Sequence, residues 1–244
     1  MNVSLDTSKV IGEEKRAYVR NMFARIAPRY DLLNSLLSLR IHRYWRHVAA
    51  RETALKPGQR VLDVCTGTAD LALRLAKDVG ERGWVVGVDF CEPMLRVGLS
   101  KVHRERAKAR IALALADAQT LPLADNTFDV VTVAFGIRNV ADMRRAFAEM
   151  WRVLKPGGRL VCLEFSHPRR QPFRSIYTFY FHRVLPFIGG LLSHRDAYTY
   201  LPVSVSYFPE REQLAQILRE MGFAEVKWRE LTFGIVCIHS GVKP

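Results

Sequence analysis

The sequence predicts an α/β fold of Rossmann-like architecture: a seven-stranded, mostly parallel sheet with an antiparallel last strand. Three observations predict it. An apolar strand, Arg60-Val61-Leu62-Asp63-Val64, runs into a tight turn and then a helix starting near Thr68. From Gln59 to Ser166 the chain alternates strand and helix, with strands expected at 60–64, 84–89, 111–116, 128–133 and 158–164 and helices at 68–79, 92–106 and 142–153. That rhythm implies parallel strands joined by right-handed crossovers. Thirdly, acids stand at or near the expected ends of three successive strands: Asp63, Asp89 and Asp117. Open α/β sheets bind ligands at that edge.

The first turn, within Leu62 to Asp70 (LDVCTGTAD), limits the ligand. Gly67 is its only glycine, so the close backbone approach that a dinucleotide pyrophosphate requires is poorly supplied. S-adenosylmethionine has a ribose and a carboxylate but no phosphate, and fits better. Asp89, 26 residues after Asp63, is placed to accept both ribose hydroxyls, and Asp117 to accept from an adenine amino group. Any one of these acids alone is more often a turn or cap residue; three along one edge argue for a site.

Beyond the core, residues 9–50 carry apolar residues at helical spacing, interrupted at Pro28, with a second helical segment from Arg29 to Ala50. Residues 167–209 break the αβ rhythm and are dense in aromatics, prolines and arginines, the composition of a lid or substrate-binding insert. A helix at 210–221 and two antiparallel strands at 223–231 and 235–240 complete the chain. The expected organisation is one domain: a helical cap (1–55), a cofactor-binding core (56–166), the insert (167–209) and a completing segment (210–244).

Apolar residues make up 49% of the 244, enough for a sizeable core. The net charge of +13 suggests an anionic partner: nucleic acid, an acidic membrane surface or an acidic metabolite. Four dispersed cysteines without a C-x-x-C pair suit a reducing cytoplasm. The N-terminus reads as no signal region, and no uninterrupted apolar run approaches the ~18 residues of a membrane span. No His/Cys/Asp ligand cluster stands out, so no metal is expected.

Two longer patterns carry a family resemblance. Tyr30-Asp31, Asn34, Ser38, His42 and Trp45 have the spacing Y-D-x-x-N-x3-S-x3-H-x2-W, and Arg152 to Ser166 reads RVLKPGGRLVCLEFS. Together with FGIRNV (Phe135 to Val140) they resemble the ubiquinone/menaquinone biosynthesis C-methyltransferases, within the class I S-adenosylmethionine-dependent methyltransferase fold. The resemblance covers nearly the whole chain. It implies cofactor contacts at Thr68, Asp89 and Asp117-Ala118. Leu33 and Ala69 depart from the commoner family residues, Met and Gly, and Ala134 replaces a Ser that some members use on the cofactor. The CTGTAD turn looks more like menaquinone-pathway members.

The implied reaction is methylation of a ring carbon in a polyprenylated quinol, most similar to demethylmenaquinol; a benzoquinol of ubiquinone biosynthesis is the alternative. Arg138 is expected to stabilise the quinolate, Asn139 to orient a ring oxygen or water, and Tyr30 and His42 to close over the site, with His42 a possible base. Tyr177, Phe179, Tyr180, Phe181 and Phe187 are candidates for a prenyl channel, with core packing an equal reading. The prenyl tail implies a cytoplasmic enzyme that meets the inner face of the membrane peripherally, through the 167–209 segment with Arg169, Arg170, Arg174 and Arg183. A homodimer is left open. Methylation of RNA is the rival that the charge permits, but no RNA-binding module is recognisable and no nucleic-acid partner is expected. A cofactor-binding regulator without catalytic activity is the other rival.

Overall fold

The computed structural model describes residues 13–105, 110–180, 183 and 195–244. Helices α1 (Glu13–Ile26), α2 (Tyr30–Leu37) and α3 (Ile41–Glu52) precede β1 (Arg60–Val64), α4 (Asp70–Val79), β2 (Trp84–Asp89), α5 (Glu92–Glu105) and β3 (Arg110–Leu115). Then come β4 (Phe128–Ala134), α6 (Met143–Val153), β5 (Leu154–Phe165), α7 (Phe173–Phe179), α8 (Arg195–Ser206), α9 (Arg211–Glu220), β6 (Ala224–Leu231) and β7 (Val236–Val242). The sheet order is β3-β2-β1-β4-β5-β7-β6. All neighbours pair in parallel except β7, which runs antiparallel to both β5 and β6. The expected seven-stranded sheet is therefore present.

The central strands are buried on both faces and read as near-continuous apolar runs. Their side chains alternate: Val61 and Val130 pack with α4 on one face, Leu62 and Val131 with Phe147 and Met150 of α6 on the other. Helix α3 shares the α4 face, where Trp45 and Val48 meet Val161, Leu163 and Ile238. The helix starts follow local chemistry. Asp142 caps α6 by accepting from the Arg145 amide at 3.0 Å, and Glu210 and Gln213 form a reciprocal capping box on α9. The N-terminal helices form a cap in which Val19, Met22, Ile26 and Leu33 pack with Tyr200 of α8.

The sequence reading is corrected in two places. The segment 29–50 is not one helix: the chain breaks at 38–40, where Leu39 and Arg40 both adopt left-handed backbone (φ 47° and 63°). Neither is glycine, so composition gave no signal. The Ser38 hydroxyl, which donates to the Asn34 carbonyl at 2.5 Å, ends α2 from within. Strand β5 begins at Leu154 rather than 158, because Leu154 pairs with Phe128 before a register shift resumes at Arg159 and Val130. The LKPGG segment is thus a bulge inside the strand. Gly158 is required there, since a Cβ would stand 2.7 Å from the Lys155 carbonyl.

Candidate active site

The strand order reverses between β1 and β4, the switch point at which open α/β sheets bind ligands. The cavity at this edge follows the strand order. Asp117 and Ala118 stand beyond β3, Asp89 ends β2, Asp63 and Gly67 belong to β1 and its turn, and Phe135 and Asn139 follow β4. All six cofactor residues expected from the sequence line this one cavity: Asp63, Gly67, Thr68, Asp89, Asp117 and Ala118.

The turn is held in a demanding backbone shape. Cys65, Gly67 and Ala69 all have left-handed φ, of 56°, 56° and 64°. For the two non-glycine residues that conformation costs roughly 1–2 kcal/mol each, and such outliers cluster where ligands are clamped. Asp89 holds the turn from the neighbouring strand. One carboxylate oxygen accepts the Gly67 amide at 2.8 Å and the other the Cys91 amide at 2.9 Å. Gly136 closes the far side, where a Cβ would stand 2.3 Å from Cys65 Cβ, so the glycine of FGIRNV is a packing requirement as well as a motif residue.

Asp63 is fully enclosed and accepts from the hydroxyls of Thr66 and Thr132, both at 2.7 Å. Burial pushes the carboxyls of Asp63 and Asp89 up to about 6. Asp117 accepts from the Gln119 amide at 2.9 Å and pairs with Arg16 at 3.1 Å. The Thr68 hydroxyl is engaged elsewhere, donating at 2.6 Å to Asp31 of the first signature. Lys101 bridges Asp31 and Asp70 beside it. Four acids along an edge suit a ligand carrying a sulfonium and an ammonium. Asp89 suits a ribose diol, and the buried Asn139 Oδ1 is an acceptor with no hydrogen-bond partner. The residues present fit S-adenosylmethionine.

A second cavity adjoins the first and shares Phe23, Tyr30, Arg46 and Phe135 with it. Its apolar walls include Met22, Ile26, Trp45, Phe165 and Leu201. Its polar lining includes the candidate catalytic residues Tyr30, His42 and Arg138, together with Asn34, Ser38, Arg46 and Tyr200. Arg138 Nη1 donates to Glu164 at 2.7 Å and to the Phe135 carbonyl at 2.6 Å, and the guanidinium lies 5.2 Å from the Phe165 ring centre. Both members of the Arg138–Glu164 pair are buried. Burial pushes the Glu164 carboxyl up while Arg138 pulls it down. His42 Nδ1 lies 2.5 Å from the Ser38 hydroxyl, and burial beside Arg46 pushes the imidazole down to about 4.

The structure thus separates the predicted catalytic residues. Arg138 and His42 line the second cavity, Asn139 lines the cofactor cavity, and Tyr30 borders both. Tyr180 is placed by its hydroxyl, which donates to the Leu37 carbonyl at 2.6 Å, outside both cavity linings. Phe181 and Phe187 lie outside the described residues. The sequence reading missed Arg46, Tyr200 and the pairing role of Glu164. Glu164 stood in the second signature, a usable signal; Arg46 and Tyr200 carried none.

The family model described as the ubiE/COQ5 methyltransferase family matches residues 9–243. The chain belongs to this family. The "Ubiquinone/menaquinone biosynthesis C-methyltransferase UbiE" of Geobacter sulfurreducens is 49% identical over 230 residues, covering 94% of this chain and 90% of that relative. The "Demethylmenaquinone methyltransferase" of Geobacillus kaustophilus is 44% identical over 232 residues, covering 95% and 99%. Among solved structures, a SAM-dependent methyltransferase of Thermotoga maritima superposes with a TM-score of 0.63 at 22% identity, over 92% of this chain and 99% of that one. This likeness shows the class I fold. Membership makes the chain a C-methyltransferase of the type that serves quinone biosynthesis.

Proposed function

We propose that the chain transfers a methyl group from S-adenosylmethionine to a ring carbon of a polyprenylated quinol, and that its substrate is demethylmenaquinol. One observation carries the reading: an apolar, aromatic-walled cavity adjoins the cofactor cavity, and its polar lining includes Arg138, held by the buried Glu164, and the neutral His42, with Arg46 shared between the two cavities. That composition suits a flat ring with oxygens at its edge. The CTGTAD turn favours the naphthoquinol, while relatives named for both pathways keep the benzoquinol as the second reading.

When bound, S-adenosylmethionine supplies an electrophilic methyl on a sulfonium sulfur. The chain's own residues do the rest. Arg138 is held in place by its buried pairing with Glu164. Its stabilisation of a quinolate oxygen is therefore a directional hydrogen bond in a dry environment, where such bonds count for more than in water. Tyr30 and Phe135, common to both cavities, hold the ring face near the methyl position. His42 is neutral above pH ~5 on account of its burial. The Ser38 hydroxyl donates to Asn34, so His42 Nδ1–H donates to Ser38 and Nε2 keeps its lone pair. After methylation the ring carbon must lose a proton to regain aromaticity, and a weak base suffices for so acidic a proton. We assign that acceptor to His42.

The reaction is tested by incubating the protein with methyl-labelled S-adenosylmethionine and either reduced demethylmenaquinone or a demethylated benzoquinol. Label is expected in the naphthoquinol ring. Label in the benzoquinol alone would transfer the assignment to ubiquinone biosynthesis, and label in neither would overturn the reading.

A further inference from the structure

Arg46 follows Trp45 on α3 and lines both cavities. Its side chain is 12% exposed, and its guanidinium lies 5.6 Å from the Phe135 ring centre. Nη1 is buried and makes no hydrogen bond. The Asp70 carboxylate is 3.6 Å away, an ion-pair distance beyond hydrogen-bond reach, and Asp70 is itself bonded by Lys101. Leaving a buried guanidinium N–H without an acceptor is costly, so a ligand group that supplies one is favoured there.

The cofactor cavity has a direction. On the cofactor reading above, Asp117 and Ala118 mark its adenine end and Asp89 the ribose, so along the strand order the amino-acid arm would extend past Asp63 toward β4 and α3. Among the described residues lining this cavity, the cations are Arg16 and Arg46. Arg16 stands at the adenine end, paired with Asp117. Arg46 stands at the opposite end, with Asp63 and Asp70. An amino-acid arm brings one ammonium and one carboxylate. The two acids offer partners to the first, and Arg46 offers one to the second.

We propose that Arg46 binds the carboxylate of the methionyl arm of S-adenosylmethionine. Because the same guanidinium borders the ring cavity, this contact fixes how far the sulfonium reaches toward the ring. The inference rests on the cofactor reading above, and one pair of ligands separates the two. S-adenosylhomocysteine keeps the carboxylate; 5′-methylthioadenosine keeps adenine, ribose and sulfur but lacks the amino-acid arm. Calorimetry on the wild type, Arg46→Gln and Arg46→Lys measures both. Arg46→Gln is expected to weaken S-adenosylhomocysteine by about ten- to a hundred-fold, the loss of one charge-assisted hydrogen bond. Binding of 5′-methylthioadenosine is expected to be unchanged, and Arg46→Lys to recover part of the loss. Equal weakening of both ligands would show a collapsed cavity wall and overturn the assignment. Unchanged S-adenosylhomocysteine affinity with slower methyl transfer would overturn it in favour of a contact to the quinol. A wild type that binds neither ligand would overturn the cofactor reading itself.

Discussion

Arg138 Nη1 lies 2.7 Å from Glu164 Oε1, joining the 3₁₀ turn after β4 to the end of β5 through a buried ion pair. The pair aligns the guanidinium along the wall of the ring cavity, and removing either partner strands the other charge. Glu164→Ala is expected to destabilise the fold by about 3–5 kcal/mol, read by chemical denaturation. Glu164→Gln retains an acceptor, so it should fold and slow methyl transfer by misplacing Arg138. Arg138→Lys should likewise fold, yet lose turnover far more than S-adenosylhomocysteine affinity. Equal losses of affinity and rate would place Arg138 in support of the cofactor cavity instead.

Asp89, proposed to contact the ribose, also holds the turn. Asp89→Asn should weaken S-adenosylmethionine by about 1.5–3 kcal/mol, with a smaller effect on stability than Asp89→Ala, which also releases the Gly67 and Cys91 amides. Unchanged affinity by calorimetry would refute the contact.

Cofactor affinity should also depend on pH. Burial raises Asp63 and Asp89 to about 6 in the free protein, and a cationic ligand favours their ionised forms, so binding releases protons. Affinity for S-adenosylmethionine is therefore expected to be constant above pH ~7. As pH falls through about 6 it should drop, by up to about tenfold per unit for each group. A dissociation constant flat between pH 5 and 8 would contradict this.

His42, pushed down to about 4, stays neutral throughout the physiological range. No imidazole titration is expected between pH 5.5 and 8 in its NMR spectrum, and the Nδ1–H tautomer should dominate. Ser38→Ala should alter that tautomer balance, and His42→Gln should slow turnover by about 10²-fold or more if His42 takes the ring proton. A mutant as fast as wild type would exclude it.

Peripheral membrane contact, proposed from the prenyl tail, acquires a different geometry from the one expected. Arg169 is bound by Glu210 and Glu212 at 2.5 and 2.6 Å, so much of its charge is offset. Arg170 and Arg174 are exposed, as is Phe179 at 64%. The Tyr180 bond to Leu37 brings α7 beside α2, whose Leu32 and Leu36, with Leu39 beyond, are also exposed. No helix among the described residues is long and apolar enough to cross a membrane. Binding to anionic vesicles should weaken with salt. It should also fall on charge reversal at Arg170 and Arg174, each worth about 1 kcal/mol, and on Leu39→Asp. Reversal at Arg169 should change it less. Co-sedimentation insensitive to all of these would separate this face from the membrane.

The alternation of strand and helix, the acids along the sheet edge and the two signature spacings were legible in the sequence because they are local. A strand buried on both faces must be a continuous apolar run, and a sharp turn must tolerate left-handed backbone. Hence the expectation that Asp63, Gly67, Asp89 and Asp117 stand along one edge was legible without coordinates, and the four line one cavity. The division of labour beyond them was not legible. Nothing in the spacing of α2 and α3 announces a break at Leu39-Arg40. The partner that orients Arg138 stands 26 residues away, on another strand. Arg46 follows a signature tryptophan without a motif of its own, and its significance lies in its place between two cavities and in a buried N–H with no hydrogen-bond partner. Such properties depend on which groups burial brings together and which it leaves unsatisfied, and only the packed tertiary structure decides that.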